Sequence, residues 1–251
     1  MTAIKILVAG ESWMTAATHF KGWDFFSSTT FHTGVEHLRR ALEGQAIEVV
    51  HMPSHEAATA FPLRLAELQA YHAVILSDIG SNTLLLHPDT WLHGKTMPNR
   101  LKLLAEYVTQ GGGLAMAGGY YSFQGVYGAA RYHGTAVEEV LPVEISPNDD
   151  RVEVPEGFTP RVVAPTHPVT QGIPREWPAL LGYNAVRIKP EATVLALVGE
   201  HPILAVRTVG AGRTLAWTSD IGPHWCPEPF LTWPGYARLW GQAIRWLARQ
   251  A

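Results

Sequence analysis

Four short apolar runs, each closing on a polar or glycine-bearing tip, constrain this chain more than any other feature. Ile4 to Ala9, Ile47 to Met52, His72 to Ser77 and Gly113 to Ala117 are five or six residues long and rich in branched side chains. Runs of that length and kind are buried parallel strands. Between them lie helical patterns. About Gly34 to Leu42 carries Val35, Leu38, Ala41 and Leu42 on one face, and Gly44 stops it. A weaker Ala-rich pattern fills Glu56 to Leu68. A third helix is capped by Asn99, buries Leu101, Leu104, Ala105 and Val108, and ends near Gly111. Strand alternating with helix predicts a doubly wound α/β fold with a mainly parallel sheet, a flavodoxin-like three-layer sandwich.

The second half reads differently. Glu139 to Pro165 is rich in proline and charge and shows no long periodic segment. Extended runs return at Ala185 to Ile188, Thr193 to Val198, Ile203 to Val209 and Arg213 to Thr218. Turn residues between the later ones predict antiparallel hairpins extending one edge of the sheet. Tyr236 to Arg249 is the clearest helix, with Trp240, Ala243, Ile244 and Leu247 as its buried stripe. No repeat or low-complexity linker divides the 251 residues, so a single domain over 1–251 is expected.

Composition narrows the partners. The formal charge is -3 and no Lys/Arg cluster is present, so nucleic acid is not an expected partner. No window approaches the roughly 20 apolar residues of a spanning helix. The start, MTAIKILVAG, lacks the basic opening and long apolar stretch of a signal peptide. A cytoplasmic, non-membrane protein is expected. One cysteine, Cys226, excludes an intramolecular disulfide and a multi-thiolate zinc site.

In open α/β sheets ligands bind beyond the carboxyl ends of the strands. The four relevant tips are Gly10-Glu11-Ser12-Trp13, Asp78-Ile79-Gly80-Ser81-Asn82, Gly118-Gly119-Tyr120-Tyr121-Ser122 and Asp220-Ile221-Gly222-Pro223-His224-Trp225-Cys226. Their convergence predicts a polar cleft. Glu11, Asp78, Asp220 and His224 are the candidate acid/base groups there. Each carboxylate could instead form a turn or cap a helix. Ser12, Trp13, Ser81, Asn82, Gly118, Gly119, Tyr120 and Ser122 are candidate ligand contacts. Cys226, two residues from His224, is either a displaced thiol nucleophile or a packed core residue. No ligand spacing is diagnostic of a metal, and no metal or cofactor is expected. The twenty-odd residues from Glu11 to Thr33 read as a long loop. Its Trp13, Phe20, Trp23, Phe25 and Phe26 either wall a pocket or form an oligomer contact.

The run Gly111-Gly112-Gly113-Leu114-Ala115-Met116-Ala117-Gly118-Gly119-Tyr120 resembles the strand-to-helix elbow of class I glutamine amidotransferases. Gly118 to Gly125, with Ser-Asp-Ile-Gly at 219 to 222 and the Trp-rich tail, is closer to the branch described as "putative glutamine amidotransferase". The resemblance covers essentially the whole chain. It implies an elbow cysteine, a late-strand His, and backbone N–H groups that hold an oxyanion. It places the nucleophile at Gly119, and no residue from Gly111 to Gly128 is Cys. A thiolate paired with His is what attacks the amide in a glutaminase, so ordinary glutamine hydrolysis is not expected. Two classes of function stay open. One is an enzyme acting on a small polar molecule; the other is a non-catalytic, self-assembling module of the same fold. A homo-oligomer is expected.

Overall fold

The computed structural model describes residues 3–250. Strand β1 (Ile4–Gly10) is followed at once by a hairpin, β2 (Ser12–Lys21) and β3 (Asp24–Thr33). Then come α1 (Glu36–Leu42), β4 (Ile47–Met52), α2 (Ser54–Ala60), α3 (Leu65–Leu68), β5 (Ala73–Ser77), α4 (Ser81–Leu85), α5 (Pro88–His93), α6 (Arg100–Thr109) and β6 (Gly113–Ala117). The second half holds α7 (Ala136–Val140), β7 (Val143–Glu144), β8 (Arg151–Phe158), β9 (Arg161–Val162), β10 (Leu180–Asn184), β11 (Arg187–Ile188), β12 (Thr193–Val198), β13 (His201–Val209) and β14 (Gly212–Trp217). It closes with α8 (Glu228–Leu231) and α9 (Pro234–Leu247).

Eight strands form the main sheet in the order β4-β1-β5-β6-β14-β13-β12-β9. The first five are mutually parallel, and the last three pair antiparallel. This is the expected α/β sandwich with an antiparallel extension. Alternation along the strands sorts side chains into two cores. Ile4, Ile6 and Val8 of β1, Ala73 and Ile75 of β5, and Leu215 and Trp217 of β14 face α1 and α9. Leu7 and Ala9, Val74 and Leu76, and Leu114 and Met116 face the opposite layer, with Leu101, Leu104 and Val108 of α6. The predicted stripe of α9 is buried as expected.

The order of the strands positions the site. The chain leaves β1 for β4 on one side, then returns to β5 on the other, so a crevice opens between the ends of β1 and β5. Four adjacent strands, β1, β5, β6 and β14, deliver the four polar tips to that crevice.

Four local expectations are corrected. Glu11 to Thr33 is not a loop but a hairpin of two ten-residue strands around Gly22-Trp23, and Gly22 has the φ of +71° that primed turns require. Both of its faces are exposed, so it lacks the buried-face alternation that marks a strand. The helix expected over Glu56 to Leu68 is two helices, because Pro62 cannot donate to the ladder and its predecessor Phe61 is extended. No helix follows β6: turns run from Gly119 to Gln124, so the elbow is a strand-to-turn junction. Within the proline-rich segment, β8 forms and pairs with β10 in a separate ribbon.

A buried cation ties the helical layer together. Arg100 is fully buried and, among the described residues, has no carboxylate partner. Its guanidinium donates to Leu84 O, to Ala57 O and Ala58 O at 3.1 and 3.0 Å, and to Thr83 O at 3.0 Å. These carbonyls belong to the last turns of α2 and α4, which have few intrahelical partners. Burial lowers the Arg100 pKa to about 10, still a cation at neutral pH. Arg100→Met leaves those carbonyls without their donor and is expected to cost about 2–4 kcal/mol in urea unfolding. A loss below about 1 kcal/mol would show that the carbonyls find other partners.

Candidate active site

The tip of β14 carries the central group. Asp220 follows Thr218-Ser219, and its carboxylate accepts the Trp225 backbone N–H at 3.0 Å and His224 Nδ1 at 2.8 Å, both on Oδ2. Because the partner is a carboxylate, Nδ1 carries the proton and Nε2 is left for the cavity. The imidazole is also gripped from its faces. Trp225 stacks on it at 5.0 Å, and Tyr120 meets it edge-on at 4.5 Å. Glu153 of β8 fixes both of those rings, accepting Tyr120 OH at 3.0 Å and Trp225 Nε1 at 2.9 Å. Burial opposes the imidazolium, but the hydrogen bond and charge of Asp220 outweigh it, so the His224 pKa is raised.

Two more carboxyl groups converge on the same place. Glu11, at the end of β1, is 6% exposed and accepts Ser77 Oγ at 2.5 Å. Gly34 makes room for it, since a Cβ there would stand 2.2 Å from Glu11 Oε1. Burial first, then the charge of Asp220, pushes the Glu11 pKa up to about 8. Asp78, after β5, accepts the Tyr121 N–H at 2.7 Å and gives its own N–H to Ser122 Oγ at 3.1 Å. Burial raises its pKa to about 6, with backbone N–H donors opposing. Two carboxyls in one cavity are thereby split across neutrality, the pattern that separates an acid from a base.

Backbone strain marks the same residues. Glu11, Asp78 and His224 have φ of +48°, +45° and +144°, conformations that cost non-glycine residues about 1–3 kcal/mol each. Glu11, Trp13, Asp78, Tyr120, Tyr121, Asp220, Pro223 and His224 line one cavity of about 410 Å3. A larger cavity of about 620 Å3 lies beside Gln124, Arg131 and His133. Its one carboxylate, Asp149, is half-exposed and paired with Arg151, so the smaller cavity is the better chemical site. Among the described residues, no group of three or more His, Cys, Asp and Glu side chains is arranged to hold a metal.

The other sequence candidates divide. Trp13 and Tyr120 line the cavity. Ser12 instead accepts the Ser54 N–H at 2.8 Å, and Ser81 donates to Arg131 O at 2.8 Å, both structural roles. Asn82 is exposed on α4 and outside the cavity lining. Ser122 is buried and committed to Asp78. The elbow N–H groups are also committed. That of Gly118 donates to Trp217 O and Ser219 O, and that of Gly119 to Asn184 Oδ1 at 3.1 Å. Asp78 takes that of Tyr121, so a fixed carboxylate occupies the elbow's anion nest. The displaced-thiol reading of Cys226 is corrected as well. The thiol is 0% exposed in the core, and burial, then Asp220, push its pKa well above the usual value.

Two supporting residues carried no sequence signal. Asn184 brackets Gly119 from both sides, accepting its N–H and donating to its carbonyl at 3.3 Å. Asp150 anchors Asn184 Nδ2 at 2.8 Å and accepts the N–H groups of Gln124 and Gly125. Ser77 could have been found as the last polar residue of an apolar strand.

Two experiments follow from this geometry. The folded chain keeps a proton on Glu11 up to about pH 8, whereas the unfolded chain releases it near 4.5. Between those values the unfolded state binds fewer protons, so stability falls as pH rises and is fullest below the unfolded pKa. Asp78 acts in the same sense between 3.8 and about 6. Glu11→Gln removes the larger part of this slope. In urea unfolding its stability relative to wild type should therefore rise between about pH 5 and about pH 8.5. A constant difference would mean that Glu11 titrates normally. The second concerns Gly119, whose φ is +138° and whose added Cβ would lie 2.8 Å from Asp220 Oδ1 and 3.0 Å from Asp78 Oδ1. Gly119→Cys should lose about 2 kcal/mol or more and release no ammonia from glutamine. A glutaminase recovered by this substitution would contradict that steric account.

A family profile described as "Putative glutamine amidotransferase" matches residues 5–249. The chain is 39% identical to cytoplasmic protein STM3548 from Salmonella typhimurium, over 97% of this chain and 99% of that one, with a TM-score of 0.93. It is 41% identical to cytoplasmic protein STM1381 from Salmonella typhimurium LT2, with the same coverage and a TM-score of 0.92. The "Putative thua-like protein" from Bacteroides uniformis shares the fold alone, at 12% identity over 98% of this chain and 91% of that one, with a TM-score of 0.55. No curated protein matches the chain. A full-length profile match and two superposable relatives lead to one statement: the chain belongs to the glutamine amidotransferase-like family.

Proposed function

We propose that this protein is an acid–base enzyme acting on a small polar molecule held in the cavity at the ends of β1, β5, β6 and β14, without a covalent intermediate. The observation that carries the proposal is the Asp220–His224 pair at 2.8 Å, set in the same cavity as a Glu11 whose pKa is about 8. Asp220 orients the imidazole and favours its charged form, so Nε2 can take a proton from the substrate. Glu11, protonated at neutral pH, can give one to a carbonyl, hydroxyl or leaving-group oxygen. Asp78 supplies a further carboxylate, on the same side of Gly119 as Asp220.

The lining also selects the substrate. It contains no Lys or Arg, so nothing there compensates a phosphate or a second carboxylate. Neutral or cationic hydroxylated molecules fit best, with Trp13, Tyr120 and Tyr121 offering ring faces to a sugar-like body. No nucleophile for an amide is present at the elbow, which sets this reading apart from glutamine hydrolysis. The relatives are described as cytoplasmic proteins, and we place this chain in the same compartment, as a homo-oligomer.

The reaction class can be tested without knowing the natural substrate. Sugars, polyols and hydroxycarbonyl compounds are incubated with the protein in deuterium oxide, and proton exchange or conversion is followed by NMR. A turnover is expected that falls about 10²–10⁴-fold in His224→Gln and in Asp220→Asn. Turnover unaffected by either variant would sink the proposal. Binding with no turnover, weakened by both variants, would assign the same cavity to a non-catalytic module.

A further inference from the structure

The β2–β3 hairpin is a surface that water does not stabilise. Two ten-residue strands project from the site with almost every side chain exposed. Phe20, Phe25 and Trp23 are 76%, 69% and 103% accessible. A two-stranded hairpin with no covered face is marginal by itself. Between Ser12 and Thr33 the only charged residues are Lys21 and Asp24, which pair with each other beside the turn. We propose that this hairpin is the arm through which the chain docks on a second copy of itself, and that the interface continues to Trp13 at the mouth of the cavity.

Register and shape support a second copy. Directly paired residues share a face. One face carries Met14 and Phe31 near the root, Phe20 and Phe25 near the tip, and only Ala16, Thr29, Thr18 and Ser27 between them. The other face repeats the scheme, with Trp13 and His32 at the root, His19 and Phe26 near the tip, and Thr15, Thr30, Ala17 and Ser28 in the middle. Each face is thus a narrow waist between bulky ends, and a second ribbon of the same shape seats in that waist. Such a contact is isologous and closes on itself. The arm offers about 20 residues, close to one side of a standard interface of 20–30 residues.

Charge decides against the other occupants. A membrane-inserting tip needs cationic neighbours to reach anionic lipid, and this arm carries one lysine and one aspartate, so no net charge. Nor is the apolar surface confined to the tip, since Trp13, Met14 and Phe31 lie at the root. Two neutral arms meet without like-charge repulsion. The contact also bears on the site, because β2 begins one residue after Glu11 and Trp13 lines the cavity. A copy seated on the arm walls the open side beside Trp13. The inference deepens the assembly part of the proposed function and does not depend on the chemistry assigned to the cavity.

Light scattering and sedimentation on the full chain test it. Wild type is expected at twice the 27.6 kDa chain mass or more. A trimmed variant, with residues 15–30 replaced by Asn-Gly so that Met14 and Phe31 flank the turn, is expected to be a folded monomer. A Phe20→Lys/Phe25→Glu variant keeps a cross-strand pair while removing apolar surface, and should weaken association at least about tenfold. Wild type that is monomeric up to about 100 µM overturns the proposal. Binding of that monomer to phosphatidylglycerol vesicles would assign the arm to a membrane instead. An unchanged mass in the trimmed variant also overturns it. If the trimmed chain does not fold, the Lys/Glu variant decides, and an unchanged dissociation constant counts against the arm. Neither variant alters Glu11, Asp78, Asp220 or His224, and the mass readout tests the arm whatever chemistry the cavity performs.

Discussion

The carboxylate of Asp220 is the interaction on which the rest of the site depends. It sits at the end of β14, nearly excluded from water, and receives the Trp225 N–H and His224 Nδ1 on one oxygen. The other oxygen would lie 2.8 Å from any side chain placed on Gly119. The same charge raises the neighbouring Glu11 pKa. One buried carboxylate therefore orients the imidazole, adds to the burial that raises the Glu11 pKa and fills the space a nucleophile would use. A water-exposed aspartate could do none of these, because solvent would screen its charge.

The missing elbow cysteine is thus part of a wider rearrangement. In an elbow that stabilises an oxyanion, backbone N–H groups point at substrate. Here they point at protein: Asn184 takes the Gly119 N–H and Asp78 takes that of Tyr121. The turn that replaces a following helix is clamped by Asp150 through Gln124, Gly125 and Asn184. Restoring a thiol alone would leave the hole blocked and the Cβ in collision with two carboxylates.

Most of the architecture was legible because burial writes itself into sequence. The uninterrupted apolar runs of β1, β5 and β6 follow from burial on both faces, and the stripe of α9 from burial on one. The same logic explains the failures. The β2–β3 hairpin has no buried face, so its Thr, Ser and Ala residues read as loop. The ribbon of β8 and β10 is short, irregular and interrupted by Pro155. The strand-end rule pointed to Glu11, Asp78, Asp220 and His224, which line one cavity because the topology brings adjacent strand ends together. It could not find Asn184 and Asp150, which act through hydrogen bonds between segments 34 residues apart, and it left open whether Cys226 is packed in the core, where the structure buries it.

Site and arm share a single stretch of backbone, and this sets a limit on how independent they can be. Glu11, with its φ of +48°, is the hinge residue between β1 and β2. Its N–H is held by Ser77 O at 2.7 Å and its carbonyl by the Gly34 N–H at 3.1 Å, which fixes both ends of the hairpin at its root. Further out, Ser54 pins Ser12 through two hydrogen bonds, and His55 packs edge-on against Phe31. Beyond that collar almost every side chain of the ribbon is exposed. Any force applied along the arm is delivered first to Ser12 and Trp13, and through them to the strained backbone of Glu11. If the arm is covered as proposed, the restraint reaches Glu11 at its root, so the proposed interface and the proposed acid share one stretch of backbone.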